Sequence, residues 1–243
     1  MNLDLALVMP VYNEESCIEE VVHSWFETLS SLDISFRMIV LNDGSSDNTG
    51  KVLEKYKNNN WVHVINKPNG GHGPTILMGY KKAVGIAKWV FQCDSDNEME
   101  SRYFPELWNC RNDYDALFGT REGRQQNLAR KIITLVSRLT VRIFFGKGVQ
   151  DVNTPYRLIK TEYLEKIIVQ IPEHTFAPNV IISGTLSKAG ARILNKTVPH
   201  NQRKTGSVSI VKWSLWKAAL KSFFQTLSCR PKLKIPTRIS KIL

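Results

Sequence analysis

The chain has 243 residues, 42% hydrophobic and 23% charged, the balance of a folded chain with a sizeable core and not of a disordered segment, a collagen-like repeat or a multi-span membrane protein. Its formal net charge of +11 is unevenly placed: residues 174–243 hold thirteen Lys and Arg and no Asp or Glu, while residues 1–173 hold 20 basic and 22 acidic side chains, a balance of −2. A near-neutral body with a basic terminal piece points to an anionic surface or ligand near the C-terminus.

Leu3–Met9 is an apolar run of strand length, and Glu14–Leu29 carries helical periodicity. Phe36–Leu41 predicts a second strand, Asp47–Asn58 a helix capped by Ser46 or Asp47, and Trp61–Ile65 a third strand. Pro74–Ala87 predicts a helix opened by proline, followed by strands at Trp89–Cys93 and Ala116–Gly119. Strands and helices alternating at this spacing predict a Rossmann-like α/β fold, a mostly parallel sheet flanked by helices. Ligands of such sheets sit beyond the carboxyl ends of the strands. Four polar clusters fall there: Pro10–Glu15, Asn42–Asp47, Lys67–Gly73 and Asp94–Glu98.

Further along, Gln125–Phe145 predicts a basic amphipathic helix, Asp151–Lys160 a loop and short strand, Ala177–Ala189 a helix and Arg192–Val198 a strand. Ile210–Leu227 predicts a second basic amphipathic helix, with Lys212, Lys217 and Lys221 among Trp213, Trp216, Phe223 and Phe224; Arg230–Leu243 is expected to be extended. The chain thus divides into a body over 1–209 and a basic terminal piece over 210–243. Cys17, Cys93, Cys110 and Cys229 have no metal-site or disulfide-framework spacing, so reduced thiols in a cytoplasmic setting are expected. No leader-like segment opens the chain, and no apolar window reaches the ~18 residues that a bilayer span requires.

Asp94-Ser95-Asp96 is the sharpest feature. It follows the apolar WVFQC run, and in an extended segment residues 94, 96 and 98 share one face, which suits a hard divalent cation, Mg²⁺ or Mn²⁺. The bland alternative is a pair of solvated loop carboxylates. In Asn42-Asp43-Gly44-Ser45-Ser46-Asp47 a strand-to-helix turn accounts for Gly44, Ser46 and Asp47. It does not account for Asp43, placed to accept from a base N–H. Asn69-Gly70-Gly71-His72-Gly73 lets backbone approach a ligand at a helix N-terminus, where phosphate is favoured. It lacks the spacing of a P-loop or a dinucleotide fingerprint.

Taken together, MPVYNEE (Met9–Glu15), LNDGSSDNT (Leu41–Thr49), NGGHG (Asn69–Gly73) and QCDSD (Gln92–Asp96) resemble family 2 glycosyltransferases of the GT-A fold. GTR (Gly119–Arg121), DVNTPYRLI (Asp151–Ile159) and RKTG (Arg203–Gly206) resemble the dolichyl- or polyprenyl-phosphate sugar synthase branch. The resemblance implies a GT-A domain over 1–209 and a nucleotide-sugar site lined by Pro10, Tyr12, Glu14, Asp43, Asn69, Gly70, Asp94 and Ser95. It implies a cation on Asp94 and Asp96, with Glu98 as third ligand standing where glutamine is common. Arg121 and Arg203 are implied as phosphate binders, a task that suits guanidinium forks.

The implied reaction inverts the anomeric carbon. With polyprenyl phosphate as acceptor the nucleophile is already anionic; with a saccharide hydroxyl a carboxylate base is needed, and Asp151 is the candidate. The bland reading of Asp151 is a cap or a salt-bridge partner of Arg157. The basic amphipathic helices suit a membrane interface, and the absence of acids beyond Glu173 favours that over packing on the sheet, the alternative, so the enzyme is expected peripherally on the inner face of a membrane. Oligomeric state is open, a homo-oligomer included. A nucleic-acid-binding protein accounts for the charge but leaves the Asp94–Asp96 and Asp43 cluster unexplained, and no nucleic-acid partner is expected. A degenerate, non-catalytic transferase-like module is disfavoured by the intact Asp43, Asp94, Asp96 and Arg203.

Overall fold

The computed structural model describes residues 3–122, 149–201, 224–226, 228–229 and 231–235. Its described strands are β1 (Leu3–Val11), β2 (Phe36–Asp43), β3 (Val62–Lys67), β4 (Ala87–Gln92), β5 (Ala116–Glu122), β6 (Arg157–Lys160) and β7 (Ile193–Pro199). The helices are α1 (Ile18–Ser30), α2 (Thr49–Glu54), α3 (His72–Ala83), α4 (Phe104–Asn109), α5 (Thr161–Ile168) and α6 (Pro178–Lys188). The seven strands form one sheet in the order β3-β2-β1-β4-β6-β5-β7. The ladder is parallel except around β6, which runs antiparallel to β4 and β5.

The expected mostly parallel, helix-flanked sheet is therefore present. β1 and β2 are apolar on both faces and buried along most of their length, as central parallel strands covered by helices must be. Boundaries shift where local turns compete. Glu14 C=O accepts from the amides of both Cys17 (3.1 Å) and Ile18 (2.9 Å), so α1 opens four residues later than its periodicity predicts. The α2 N-cap is Asn48, without a side-chain bond; Asp47 still accepts from Thr49 N–H (2.9 Å). The short helices α4 and α5 have no counterpart among the elements expected from sequence. The helix predicted at Gln125–Phe145 lies outside the described residues, and of the one predicted at Ile210–Leu227 only 224–226 are described, as helix.

Each face of the sheet has its own core. On one, Trp25, Phe91, Phe104 and Tyr156 cluster, with Phe91 edge-to-face against Phe104 at 4.7 Å and Tyr156 at 4.8 Å between ring centroids. On the other, α3, α5 and α6 cover Val8, Leu41, Val90 and Ile159. Burying each such aliphatic or aromatic side chain is worth about 1.5–3 kcal/mol. Among the described residues no helix is long and apolar enough to cross a membrane.

Of the helices, α3 matters most to the polar rim, because its N-terminus lies there. It sits close on β1 and β2 at Gly79, where a Cβ would lie 2.3 Å from Val8 Cγ1 and 2.9 Å from Leu41 Cδ1. Gly79→Ala gains about 1 kcal/mol of helix propensity, but the clash with two side chains in a filled core costs about 1–3 kcal/mol or more. The expected outcome is a lower urea midpoint; an unchanged or raised midpoint would mean that α3 can ride away from the sheet freely.

Candidate active site

Strand order reverses between β1 and β4: the chain winds to β2 and β3 on one side and to the β6-β5-β7 group on the other. In an open α/β sheet the crevice lies at this switch point, beyond the strands' carboxyl ends. Pro10 is buried near the end of β1, Tyr12 follows at 38% exposure, and Glu14 is buried. Asp94, buried Ser95 and Asp96 follow β4. The two loops meet: the Cys17 thiol lies 3.3 Å from Glu14 Oε2 and 3.6 Å from the Ser95 carbonyl.

The loop after β1 is also laced to the loop after β2. Asn13, at φ +55°, accepts from Ser46 N–H (2.8 Å) and donates its own N–H to Ser45 Oγ (3.0 Å). Glu14 N–H donates to Thr49 Oγ1 (2.8 Å), and Asn48 N–H to Glu15 Oε2 (2.7 Å). Serines, asparagines and a threonine are suited to this because their short polar side chains can replace backbone partners in turns.

Asp43 has partners that the sequence does not show. Its carboxylate is almost wholly buried. Oδ1 accepts from Gly70 N–H (2.9 Å) and from Lys67 Nζ, while Oδ2 accepts from Gly71 N–H (2.9 Å). Asp43 thereby folds the glycine loop back over the strand end. Gly44 fits beneath that loop at φ +66°, where a Cβ would come within 2.5 Å of Asn69 N; only glycine is admissible. Asn69 and Gly70 themselves are exposed on the rim.

The glycine loop delivers α3 to the site. His72, its first residue, places Nε2 3.8 Å from Asp94 Oδ1. That oxygen is buried and has no hydrogen-bond partner among the described residues, although the side chain as a whole is 31% exposed. A half-satisfied carboxylate in a crevice is costly and invites a functional explanation. Below it, burial, with the charges of Asp94 and Asp96 adding to it, pushes the Cys93 thiol well up, so this sulfur stays a neutral S–H.

The expected shared face of Asp94, Asp96 and Glu98 is not formed. β4 ends at Gln92, Asn97 takes φ +56°, and Glu98 N–H turns back to Asp96 Oδ1 (3.1 Å). The Glu98 carboxylate lies 2.9 Å from His200 Nε2, at the end of β7. Among the described residues no three His, Cys, Asp or Glu side chains gather into a cation cage.

Asp151 is an ion-pair partner, but of Arg121 and not of Arg157. Arg121 Nε and Nη2 donate to its two carboxylate oxygens at 2.7 and 2.9 Å, a bidentate fork with both partners largely buried. Arg157 is fully buried and donates to the carbonyls of Thr154 (2.8 Å), Val152 (3.3 Å) and Asn179 (3.2 Å). It thereby pins the 152–154 segment that carries Asp151. Arg203 lies outside the described residues. Sequence reasoning passes over Lys67, His72 and His200. His72 sits inside the NGGHG motif, and Lys67 is the last residue of β3, so both have a positional signal; His200 has none.

The sequence model described as "Glycosyl transferase family 2" matches residues 6–168. An uncharacterized glycosyltransferase of Synechocystis sp. is 29% identical over 255 residues, covering 100% of this chain and 75% of the relative. The undecaprenyl-phosphate 4-deoxy-4-formamido-L-arabinose transferase of Proteus mirabilis is 25% identical over 206 residues, covering 83% of this chain; the chain spans only 61% of that relative's length. Among solved structures, glucosyl-3-phosphoglycerate synthase from Mycobacterium tuberculosis, in complex with Mn²⁺, UDP and glucosyl-3-phosphoglycerate, superposes with a TM-score of 0.66 at 17% identity, covering 95% of this chain and 81% of that one. S. aureus TarS 1-349 in complex with UDP-GlcNAc superposes with a TM-score of 0.59 at 19% identity, covering 88% of this chain and 64% of that one. At these identities the structural likeness is one of fold, and it is the GT-A fold. With the family match over most of the chain and the motif-bearing loops gathered at the switch point, the chain belongs to glycosyl transferase family 2.

Proposed function

We propose that this glycosyltransferase moves a sugar from a nucleoside-diphosphate sugar to a polyprenyl phosphate, with a divalent cation, at the cytoplasmic face of a membrane. The observation that carries the reading is Asp94: a carboxylate at the switch-point crevice whose buried Oδ1 lacks a hydrogen-bond partner. A hard divalent ion, Mg²⁺ or Mn²⁺, fits this donor set, with Asp94 and Asp96 as its protein ligands and the remaining positions left to phosphate oxygens and water. When bound, it supplies charge stabilisation to the departing nucleoside diphosphate. The complex of the mycobacterial synthase with Mn²⁺ and UDP supports the same assignment by analogy.

The protein's own groups supply the rest. Tyr12, with Pro10 and Glu14, lines the nucleoside end of the crevice. Asp43 holds Gly70 and Gly71 in place, and Asn69, Gly70 and Ser95 border the nucleotide sugar. The N-terminal end of α3 adds positive potential beside Asp94, where the leaving phosphate develops charge, and the His72 ring offers an N–H donor there. Arg203 serves as a phosphate-binding guanidinium group, and Arg121, forked onto Asp151 through Nε and Nη2, offers phosphate its remaining N–H groups. Attack from the face opposite the leaving group inverts the anomeric carbon.

Two observations favour a phosphate over a hydroxyl acceptor. Both oxygens of Asp151 are engaged by Arg121, which leaves it badly placed to collect a hydroxyl proton, and an anionic phosphate needs no base. The Proteus relative is named for transfer to undecaprenyl phosphate.

Asp94→Asn and Asp96→Ala are expected to lower kcat/KM for transfer by about 10³-fold, roughly 4 kcal/mol of transition-state stabilisation. Asp94→Asn should leave the urea midpoint unchanged or raised, because it removes the charge from a carboxylate whose buried Oδ1 has no hydrogen-bond donor. Near wild-type turnover by either variant would overturn the cation assignment. Asp151→Asn is expected to lower kcat/KM with polyprenyl phosphate by no more than about tenfold, whereas losing a general base costs about 10²–10⁴-fold. A loss in that larger range would move the acceptor to a saccharide hydroxyl and make Asp151 the base.

A further inference from the structure

Four large apolar side chains are exposed among the described residues: Tyr12, Val169, Phe176 and Phe224. Tyr12 belongs to the active site. The other three lie along one seam, where the turn between α5 and α6 meets the described C-terminal residues 224–226, 228–229 and 231–235. Gln225 stitches one end of the seam, its Oε1 accepting from Phe176 N–H (2.8 Å) and its Nε2 donating to His174 C=O (3.3 Å). Gln170 stitches the other, its Nε2 donating to Lys232 C=O (3.1 Å) and its Oε1 accepting from Lys232 N–H (2.9 Å). Leu233 and Ile235 pack against the core of the α3 face. The C-terminal segment is thus built into the body, and it holds the exposed side chains beside it at fixed positions. Val169 is 71% exposed and Phe224 63%, although single exposed apolar residues are ordinarily scattered.

The charge around these residues has one sign in excess. Lys166, Lys232 and Lys234 are exposed along the seam. Of the nearby acids, Glu173 is engaged by Lys81 (2.6 Å), while Glu162 and Glu165 are exposed on α5 one turn before Lys166 and Val169. From His174 onward the sequence offers no Asp or Glu to balance the C-terminal bases. Apolar tips interleaved with long lysines match a bilayer interface, where lysine stems lie along apolar surface and their ammonium groups meet lipid phosphate. The cores of protein–protein interfaces, in contrast, are depleted in lysine.

We infer that this seam is a membrane-docking face whose partner is an anionic bilayer surface. Its position gives it a use. The Thr175 and Phe176 carbonyls abut the first turn of α3, where a Cβ on Gly73 would lie 2.3 Å from each, and His72 beside it stands 3.8 Å from Asp94. A surface docked here lies one helical turn from the candidate active site, within reach of a phosphate headgroup held in the membrane. The inference thereby deepens the acceptor reading, on which its use, though not its physical basis, rests.

The test is co-sedimentation of the full chain with phosphatidylcholine vesicles, with and without phosphatidylglycerol. Wild-type protein is expected to bind only the anionic vesicles, and added salt should weaken that binding. The double variants V169D/F224D and K232E/K234E should each bind about tenfold less tightly or worse. Both should keep the wild-type circular dichroism spectrum and wild-type activity on a water-soluble prenyl phosphate. Wild-type binding by both variants would overturn the inference, as would equal binding to neutral and anionic vesicles. So would a wild-type dimer that V169D/F224D dissociates in a protein with no vesicle affinity, because the seam would then be a contact between copies. Vesicle binding requires no turnover, so its failure leaves the acceptor reading to the activity assays.

Discussion

The site depends on one buried carboxylate. Asp43 ends β2 with almost no access to water, so each of its oxygens must find a donor inside the protein. It finds them in two consecutive amides of the glycine loop and in Lys67. That requirement folds residues 69–71 back over the sheet and brings Gly44 and Asn69 into backbone contact. It also fixes where α3 begins, and so where His72 stands relative to Asp94. The rim of a parallel sheet offers four loop ends at roughly strand spacing; Asp43 turns two of them into a fixed wall. The bonds from Asn13, Glu14 and Glu15 to the 45–49 turn tie in a third.

Against this well-satisfied wall, Asp94 is the exception. Its Oδ1 has no hydrogen bond among the described residues, a state shared by Gln92 Nε2 at the end of β4. A protein that can satisfy Asp43 so fully leaves a buried carboxylate oxygen unmatched in the crevice at a cost in stability. Departures from local consistency of this kind tend to concentrate where function is exercised. The same logic separates Asp94 from Asp151, whose oxygens are both engaged by Arg121, and from Glu98, which is paired with His200.

The elements legible in the sequence are those with strong local patterns: apolar runs of strand length, amphipathic α1 and α3, and polar clusters spaced to fall on one rim. The misses share a physical cause. α4 and α5 are six and eight residues long, too short for periodicity to stand out from the surrounding turns. The shared face of residues 94, 96 and 98 assumes an extended chain, and a single left-handed residue, Asn97, removes it. Asp43's true partners lie 24 to 28 residues away, Asp151's 30 away, and His200 joins Glu98 from the far edge strand. No spacing rule reaches them, because sheet topology and not local sequence sets those distances. The seam between the α5–α6 turn and the C-terminal segment is invisible in the sequence for the same reason.

The central claim is tested most directly by a phase-partition assay with purified protein, a panel of radiolabelled nucleotide sugars, Mg²⁺ or Mn²⁺, and polyprenyl phosphate present or omitted. The account predicts label in the organic phase only when lipid and cation are both present, and its loss with chelator. No organic-phase label, together with donor turnover onto an added saccharide, would contradict the lipid-phosphate acceptor.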